Sequence, residues 1–166
     1  ELREILLPPV KASVEAGAAA FMAAYNEIDG VYCHANRWLL TDLLRGEYGF
    51  QGFVMSDGVA IDQLDAVTGD RTASGALALQ AGVDMGLWDT GFQQLEEAVA
   101  RGLVEERQID EAVTRILTEK FRRGLFEQPY IPETTAYQGY TSQAYPQVRG
   151  LAERCLVLLK NTGGLL

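Results

Sequence analysis

Asp57 closes the apolar run Gly52-Phe53-Val54-Met55-Ser56. Two other apolar runs end on polar or aromatic residues in the same way. Residues 19–24 lead into Tyr25 and Asn26, and residues 83–87 lead into Trp88 and Asp89. Carboxylates do nucleophilic and proton-transfer chemistry, and in βα barrels and open α/β sheets such groups gather at the C-terminal ends of parallel strands. Asp57 stands in that place, and the three run ends would line one rim. Position alone does not single it out. A helix cap or a loop-ordering carboxylate looks the same in sequence, and Asp62 and Asp65 compete on equal terms.

Other reactive types are sparse. Cys33 and Cys155 are far apart in sequence and read as two reduced thiols rather than a disulfide framework. The single histidine, His34, adjoins Cys33, but a Cys-His pair without further ligands at metal spacing makes a poor zinc site. No metal and no cofactor is expected. A Schiff-base lyase would want a lysine at a strand end, and Lys11, Lys120 and Lys160 are not so placed.

The elements that must position Asp57 follow a strand, loop, helix rhythm. Residues 2–16 read as helical through Leu2, Ile5, Leu6, Val10 and Val14, broken or kinked at Pro8-Pro9 and ended by Gly17. The strand over 19–24 is apolar on both faces, as a strand covered on both sides would be. Asn36 is a good N-cap for a helix over 37–45 that buries Leu39, Leu40, Leu43 and Leu44 and closes at Gly46. Helices are expected over 73–81, closed by Gly82, around 92–101, and over 108–123 with Gly124 as stop. In the last of these, Ile109, Val113, Ile116, Leu117 and Phe121 form one stripe, read as core-facing. The strands begin near 19, 53 and 83, intervals that suit βα units with right-handed crossovers and therefore parallel strands. A βα barrel and a doubly wound sheet both fit.

After Phe126 the composition changes. Residues 127–143 carry Pro129, Pro132, Gly139 and a run of Tyr, Thr and Gln, which is linker composition. A short helix over about 144–154 and a buried strand at 155–160 are expected next. That strand has no evident partner, and both ends of the chain read as cuts through something longer.

Composition bounds the partners. The 166 residues are 48% hydrophobic, enough to fill a core, and carry 23 carboxylates against 14 Lys and Arg, a net of −9. Such a surface disfavours nucleic acid and anionic membranes and is compatible with a neutral substrate. No apolar run reaches the ~18 residues of a membrane span.

Several ordered blocks carry a resemblance. Ala24-Tyr25-Asn26-Glu27-Ile28-Asp29-Gly30-Val31, residues 35–45, Tyr48-Gly49-Phe50-Gln51-Gly52-Phe53-Val54-Met55-Ser56-Asp57, Ala81-Gly82-Val83-Asp84-Met85, residues 120–126 and residues 155–161 together resemble glycoside hydrolase family 3. That family includes β-glucosidases and β-xylosidases. The resemblance implies an α/β fold: a partial TIM-type (β/α)8 barrel, about its last three βα units, over residues 1–126; a linker over 127–143; and the first helix and strand of an α/β sandwich domain over 144–166. It implies a retaining exo-acting β-glycosidase for terminal β-D-glucosyl or xylosyl residues. Asp57 falls on the nucleophile, Tyr25 on a tyrosine near the sugar, and Met22 on an apolar residue lining the sugar subsite, although for a lone methionine simple core packing is the stronger reading on sequence grounds.

The departures are specific. Most members have Trp directly after the nucleophile, where this chain has Gly58. Trp88 either replaces that stacking surface or is a packed rim residue. The family's acid/base group, and its upstream sugar-binding Lys-His pair, have no counterpart among these residues; Glu27 and Glu47 lie in matching blocks but hold no catalytic place. A non-catalytic carbohydrate-binding or interaction fragment is therefore the alternative. Three βα units would leave open sheet edges, to be covered by the remainder of a parent enzyme or by self-association.

Overall fold

The computed structural model describes residues 1–130 and 137–164. It divides into two units, Glu1–Phe126 and Glu127–Leu166.

The first unit is built on a parallel sheet. Its strands are β1 (Ala20–Ala23), β4 (Phe53–Gly58) and β5 (Met85–Leu87), in the order β1-β4-β5. A two-stranded antiparallel hairpin, β2 (Glu27–Ile28) and β3 (Val31–Tyr32), interrupts the first crossover. The register sets Met22 against Met55 and Ala23 against Ser56, and then Met55 against Met85. A register shift between Met55 and Gly58 follows, just where Asp57 sits.

The helices form where the sequence periodicity places them. A turn of π-helix, Leu2–Leu6, precedes α1 (Pro8–Glu15), and both prolines occupy the first turn of α1, where a missing N–H costs nothing. Asn36 caps the next helix as expected: its Oδ1 accepts the Leu39 N–H at 3.0 Å. That helix, Trp38–Glu47, is wound with π-type spacing and runs past Gly46. The chain reverses instead at Gly49, whose φ is +73°. Leu40, Leu43 and Leu44 are buried, as expected, while Leu39 is half-buried. Leu40 and Leu44 join Val54, Ile61, Leu64, Ala78 and Val83 in the main core. Burial of each such leucine stabilises the fold by roughly 1.5–3 kcal/mol.

The second crossover holds a turn of 3-10 helix, Ile61–Leu64, then α2 (Asp65–Thr68) and α3 (Arg71–Ala81). The third segment holds a 3-10 turn, Gly91–Gln94, followed by α4 (Leu95–Ala100) and α5 (Glu106–Arg122). Gly75 on α3 sits directly on the turn at Gly91: a Cβ there would lie 2.2 Å from the Gly91 carbonyl oxygen. That approach fixes the turn that follows Asp89. At the other end of the sheet, Asp84 accepts from Arg45 at 2.5 Å, Arg115 at 2.7 Å and the Val54 N–H at 2.7 Å. This buried cluster locks the start of β5 to β4.

Three expectations are corrected. β1 is an edge strand and is not covered on both faces; Met22 is 54% exposed. The α5 stripe faces a core only in part: Ile109 packs against the cluster of Ala76, Leu79, Ala98, Val104 and Ala112, and Ile116 is half-buried. Val113, Leu117 and Phe121 are exposed, and Ala112 and Glu119 are the buried residues of that helix. Periodicity marks an apolar face but not how much of it is covered.

The third correction falls in the second unit. There α6 (Tyr137–Cys155) runs through Pro146, so the helix expected over about 144–154 begins earlier, at Tyr137. Residues 156–160 form no strand and are exposed. A strand is held by hydrogen bonds to a neighbour, and residues 156–160 pair with no strand among the described residues. The rest of the expected linker, 131–136, lies outside the described residues. No helix among them is long and apolar enough to cross a membrane.

Candidate functional site

Asp57 is the penultimate residue of β4 and sits at its C-terminal end. The strand alternates around it: Val54 and Ser56 are fully buried, so Asp57 points to the opposite face and is half-buried. Its Oδ1 accepts the Gly58 N–H at 2.7 Å. The β1–β4 register, continued two residues past the Ala23–Ser56 pair, sets Tyr25 opposite Gly58. The Tyr25 hydroxyl accordingly donates to the Gly58 carbonyl. Partial desolvation, and next the negative charge and hydrogen bonding of Asp57 beside it, raise the Tyr25 pKa above its ordinary value. Tyr25 therefore keeps its proton at neutral pH and remains a donor.

The rival carboxylates are committed elsewhere. Asp89 is 4% exposed and faces inward rather than onto the rim, which corrects its place among the expected rim residues. It accepts from the Ser56 hydroxyl at 2.5 Å, the Leu87 N–H at 2.8 Å and the Ile61 N–H at 2.8 Å. Asp62 accepts from the Thr90 N–H at 3.0 Å, the Thr90 hydroxyl at 2.8 Å and the Gly91 N–H at 2.8 Å, and it pairs with Arg71. Burial opposes its ionisation, but these hydrogen bonds and the Arg71 charge outweigh it and lower its pKa. Asp65 accepts from Arg71 at 2.8 Å and from the Ser74 hydroxyl at 2.7 Å. Among the described residues, the Asp57 carboxylate is engaged only by its neighbour Gly58 and by Tyr25.

Asp57 and Tyr25 are thus brought together. Met22 lies three residues before Tyr25, opposite Met55, and lines an apolar groove with Leu7, Phe21, Cys33 and Leu39. Core packing does not account for it. Asn26 accepts the Cys33 N–H through its backbone carbonyl at 2.9 Å, closing the hairpin.

His34 is fully buried, with Nδ1 3.4 Å from the Ala24 carbonyl and its ring 5.5 Å from that of Tyr32. Burial lowers its pKa and pushes the neighbouring Cys33 thiol up, so both are neutral at pH 7. Both cysteines are free thiols. Among the described residues no three His, Cys, Asp or Glu side chains gather as a metal site.

Two features of the rim have no sequence signal. Val59 and Trp88 both adopt left-handed backbone, with φ of +61° and +63°, a region that bulky residues rarely enter. Trp88 is 81% exposed, so it is not a packed rim residue.

Residues 1–119 match the model of the glycosyl hydrolase family 3 N terminal domain. The chain is 36% identical to a β-xylosidase of Formosa agariphila, over 99% of this chain and 25% of that protein. It is 34% identical to a periplasmic β-glucosidase of Salmonella typhimurium, over 93% of this chain and 21% of that protein. Among solved structures, the β-glucosidase from Listeria innocua in complex with glucose superposes with a TM-score of 0.82 at 32% identity, over 100% of this chain and 24% of that one. The chain thus spans about a quarter of the length of these relatives.

Proposed function

The chain belongs to glycosyl hydrolase family 3, and from that premise we propose that it is part of a retaining exo-acting β-glycosidase with Asp57 as the nucleophile. Its substrates are glycosides bearing a terminal non-reducing β-D-glucosyl or β-D-xylosyl residue. One observation carries the assignment. Of the four carboxylates near the strand ends, Asp62, Asp65 and Asp89 hold loops and strands together, while Asp57 is engaged only locally and faces Tyr25.

In this reading Asp57 attacks the anomeric carbon as the glycosidic bond breaks. A second group, about 5 Å from it, protonates the leaving oxygen. The resulting glycosyl-aspartate is hydrolysed by water that the second group deprotonates. Tyr25 sets its phenol beside the carboxylate, and Met22 provides an apolar wall toward the sugar. The acid/base group comes from outside this chain. Residues 1–126 are the C-terminal portion of a (β/α)8 barrel, 127–143 a linker, and 144–166 the start of an α/β sandwich domain.

Labelling with a 2-deoxy-2-fluoro-β-glucoside in the longer protein tests the assignment. The expected result is a covalent sugar on the peptide that contains Asp57. A label on another residue, or full turnover by Asp57→Ala, refutes it. The 166-residue chain alone is expected to show no hydrolysis of aryl β-glucosides. Turnover by this chain that disappears in Asp57→Ala would show that it is a self-sufficient enzyme.

A further inference from the structure

We infer that Trp88 is a stacking platform for a pyranose ring, standing beside Gly58 at the same rim; the inference rests on the reading of Asp57 as the reacting carboxylate. The first observation is its exposure. A tryptophan is the largest apolar side chain available to a core, yet this one is 81% exposed at the end of β5.

The second observation is how it is held out. Trp88 has φ +63°, a conformation disfavoured for any residue with a Cβ. Both neighbours are pinned. The Leu87 N–H donates to Ser56 Oγ and to Asp89 Oδ2, each at 2.8 Å, and the Leu87 carbonyl accepts the Val59 N–H at 2.9 Å. On the other side Asp89 is buried, with Ile61 and Ser56 bonded to its carboxylate. The backbone between these two anchors turns left-handed, and the indole is directed onto the rim. Strain sustained by its surroundings in this way is typical of ligand sites.

The third observation is where the ring lies. A Cβ built on Gly58 would be 3.7 Å from Trp88 Cε3, 3.9 Å from Trp88 Cζ3 and 3.6 Å from Tyr25 Oη. Indole and phenol therefore flank the residue next to Asp57. The absence of a side chain at Gly58 leaves the edge of the indole uncovered there. A pyranose has an apolar face of C–H groups and a polar edge of hydroxyls. An exposed indole accepts the face, while a carboxylate and a phenol hydroxyl accept the edge. The ligand class is a neutral β-linked sugar.

The test uses the 166-residue chain labelled with 5-fluorotryptophan, whose two fluorine signals, Trp38 and Trp88, are assigned with Trp38→Phe. Methyl β-D-glucopyranoside and methyl β-D-xylopyranoside are the probes. The Trp88 signal is expected to move saturably while the Trp38 signal stays, and to do so in Asp57→Asn as well, because stacking does not need the charge. Trp88→Ala is expected to weaken binding, read by saturation transfer to the probe, about tenfold, or about 1.4 kcal/mol. Trp88→Phe, which keeps a ring, recovers most of that loss. A probe that shifts the Asp57 amide without moving Trp88 overturns the platform and leaves the nucleophile reading intact. A Trp88 shift together with a 2-fluoro label on another carboxylate supports the platform and refutes the nucleophile. No response at Trp88 at any probe concentration overturns the inference.

Discussion

The Asp89 carboxylate accepts the Ser56 hydroxyl at 2.5 Å, tying the end of β5 to β4 one residue before Asp57. The same carboxylate accepts the Leu87 and Ile61 N–H groups. Asp89→Ala would leave the Ser56 hydroxyl and the Ile61 N–H without their acceptor around a void, while the Leu87 N–H keeps only Ser56 Oγ. A loss of about 3–5 kcal/mol follows for breaking a buried charged network. Asp89→Asn keeps the shape and can still accept, so about 1–3 kcal/mol is expected. Urea unfolding of the two variants against the parent chain measures both.

Asp57 and Asp62 should separate in the same experiment. Asp57→Ala removes a bond to the adjacent Gly58 N–H and no tie between elements other than that to Tyr25. Its stability is expected within about 0.5 kcal/mol of the parent. Asp62→Ala removes the acceptor of the Thr90 and Gly91 N–H groups and leaves Arg71 with Asp65 and the Thr90 hydroxyl. About 2–3 kcal/mol should be lost. Equal losses in the two variants would place Asp57 among the structural acids.

Tyr25 provides a pH test. Its pKa is raised in the folded chain. The protonated phenol is thus favoured by folding, so its stabilising contribution is complete below the unfolded tyrosine pKa of about 10 and is lost as pH rises through the higher folded value. Difference ultraviolet titration of Tyr25→Phe against the parent isolates its transition. Asp57→Asn should move that transition down toward the ordinary value, since the charge beside the phenol is gone. An unmoved transition would mean that the two groups do not interact.

Much of this arrangement is legible in the sequence. The continuous apolar run before Asp57 reads as a strand because β4 is the central strand of its sheet. Asn36 and Gly82 read as helix boundaries because capping is local chemistry. What is not legible is long-range. Asp57, Asp62, Asp65 and Asp89 are alike in type and in nearness to a strand end. The bonds of Asp62 and Asp89 that separate them from Asp57 span 28 to 33 residues. The α5 stripe shows the same limit, since a period of 3.6 marks an apolar face and not what covers it. The run at 155–160 has strand composition without a partner. Left-handed backbone at Trp88 is invisible because no glycine marks it.

That backbone makes a prediction of its own. Glycine adopts φ +63° without steric cost, whereas alanine is strained there. Trp88→Gly should therefore be more stable than Trp88→Ala by about 1 kcal/mol. Because the indole is exposed, neither variant loses core burial. Thermal unfolding of the pair tests this. If alanine matched glycine, the left-handed turn would not be held by its anchors at Leu87 and Asp89.

The exposed face of α5 should drive self-association. Phe121 is 61% exposed, and its ring lies 4.4 Å from that of Phe126, which is exposed as well. Val113 and Leu117 extend the same face along the helix, and β1 presents an open strand edge with Met22 beside it. Contiguous apolar surface and unpaired strand edges are both association hazards. The 166-residue chain is expected to sediment as species larger than a monomer, with a weight-average mass that rises with concentration. Leu117→Glu combined with Phe121→Glu should return it toward the monomer without loss of helix, since neither residue is buried. Far-ultraviolet circular dichroism recorded beside sedimentation velocity separates the two effects. If the double variant associates as strongly as the parent, the open edge of β1 rather than the α5 face holds the copies together, and a proline at Phe21 becomes the variant that should disperse them.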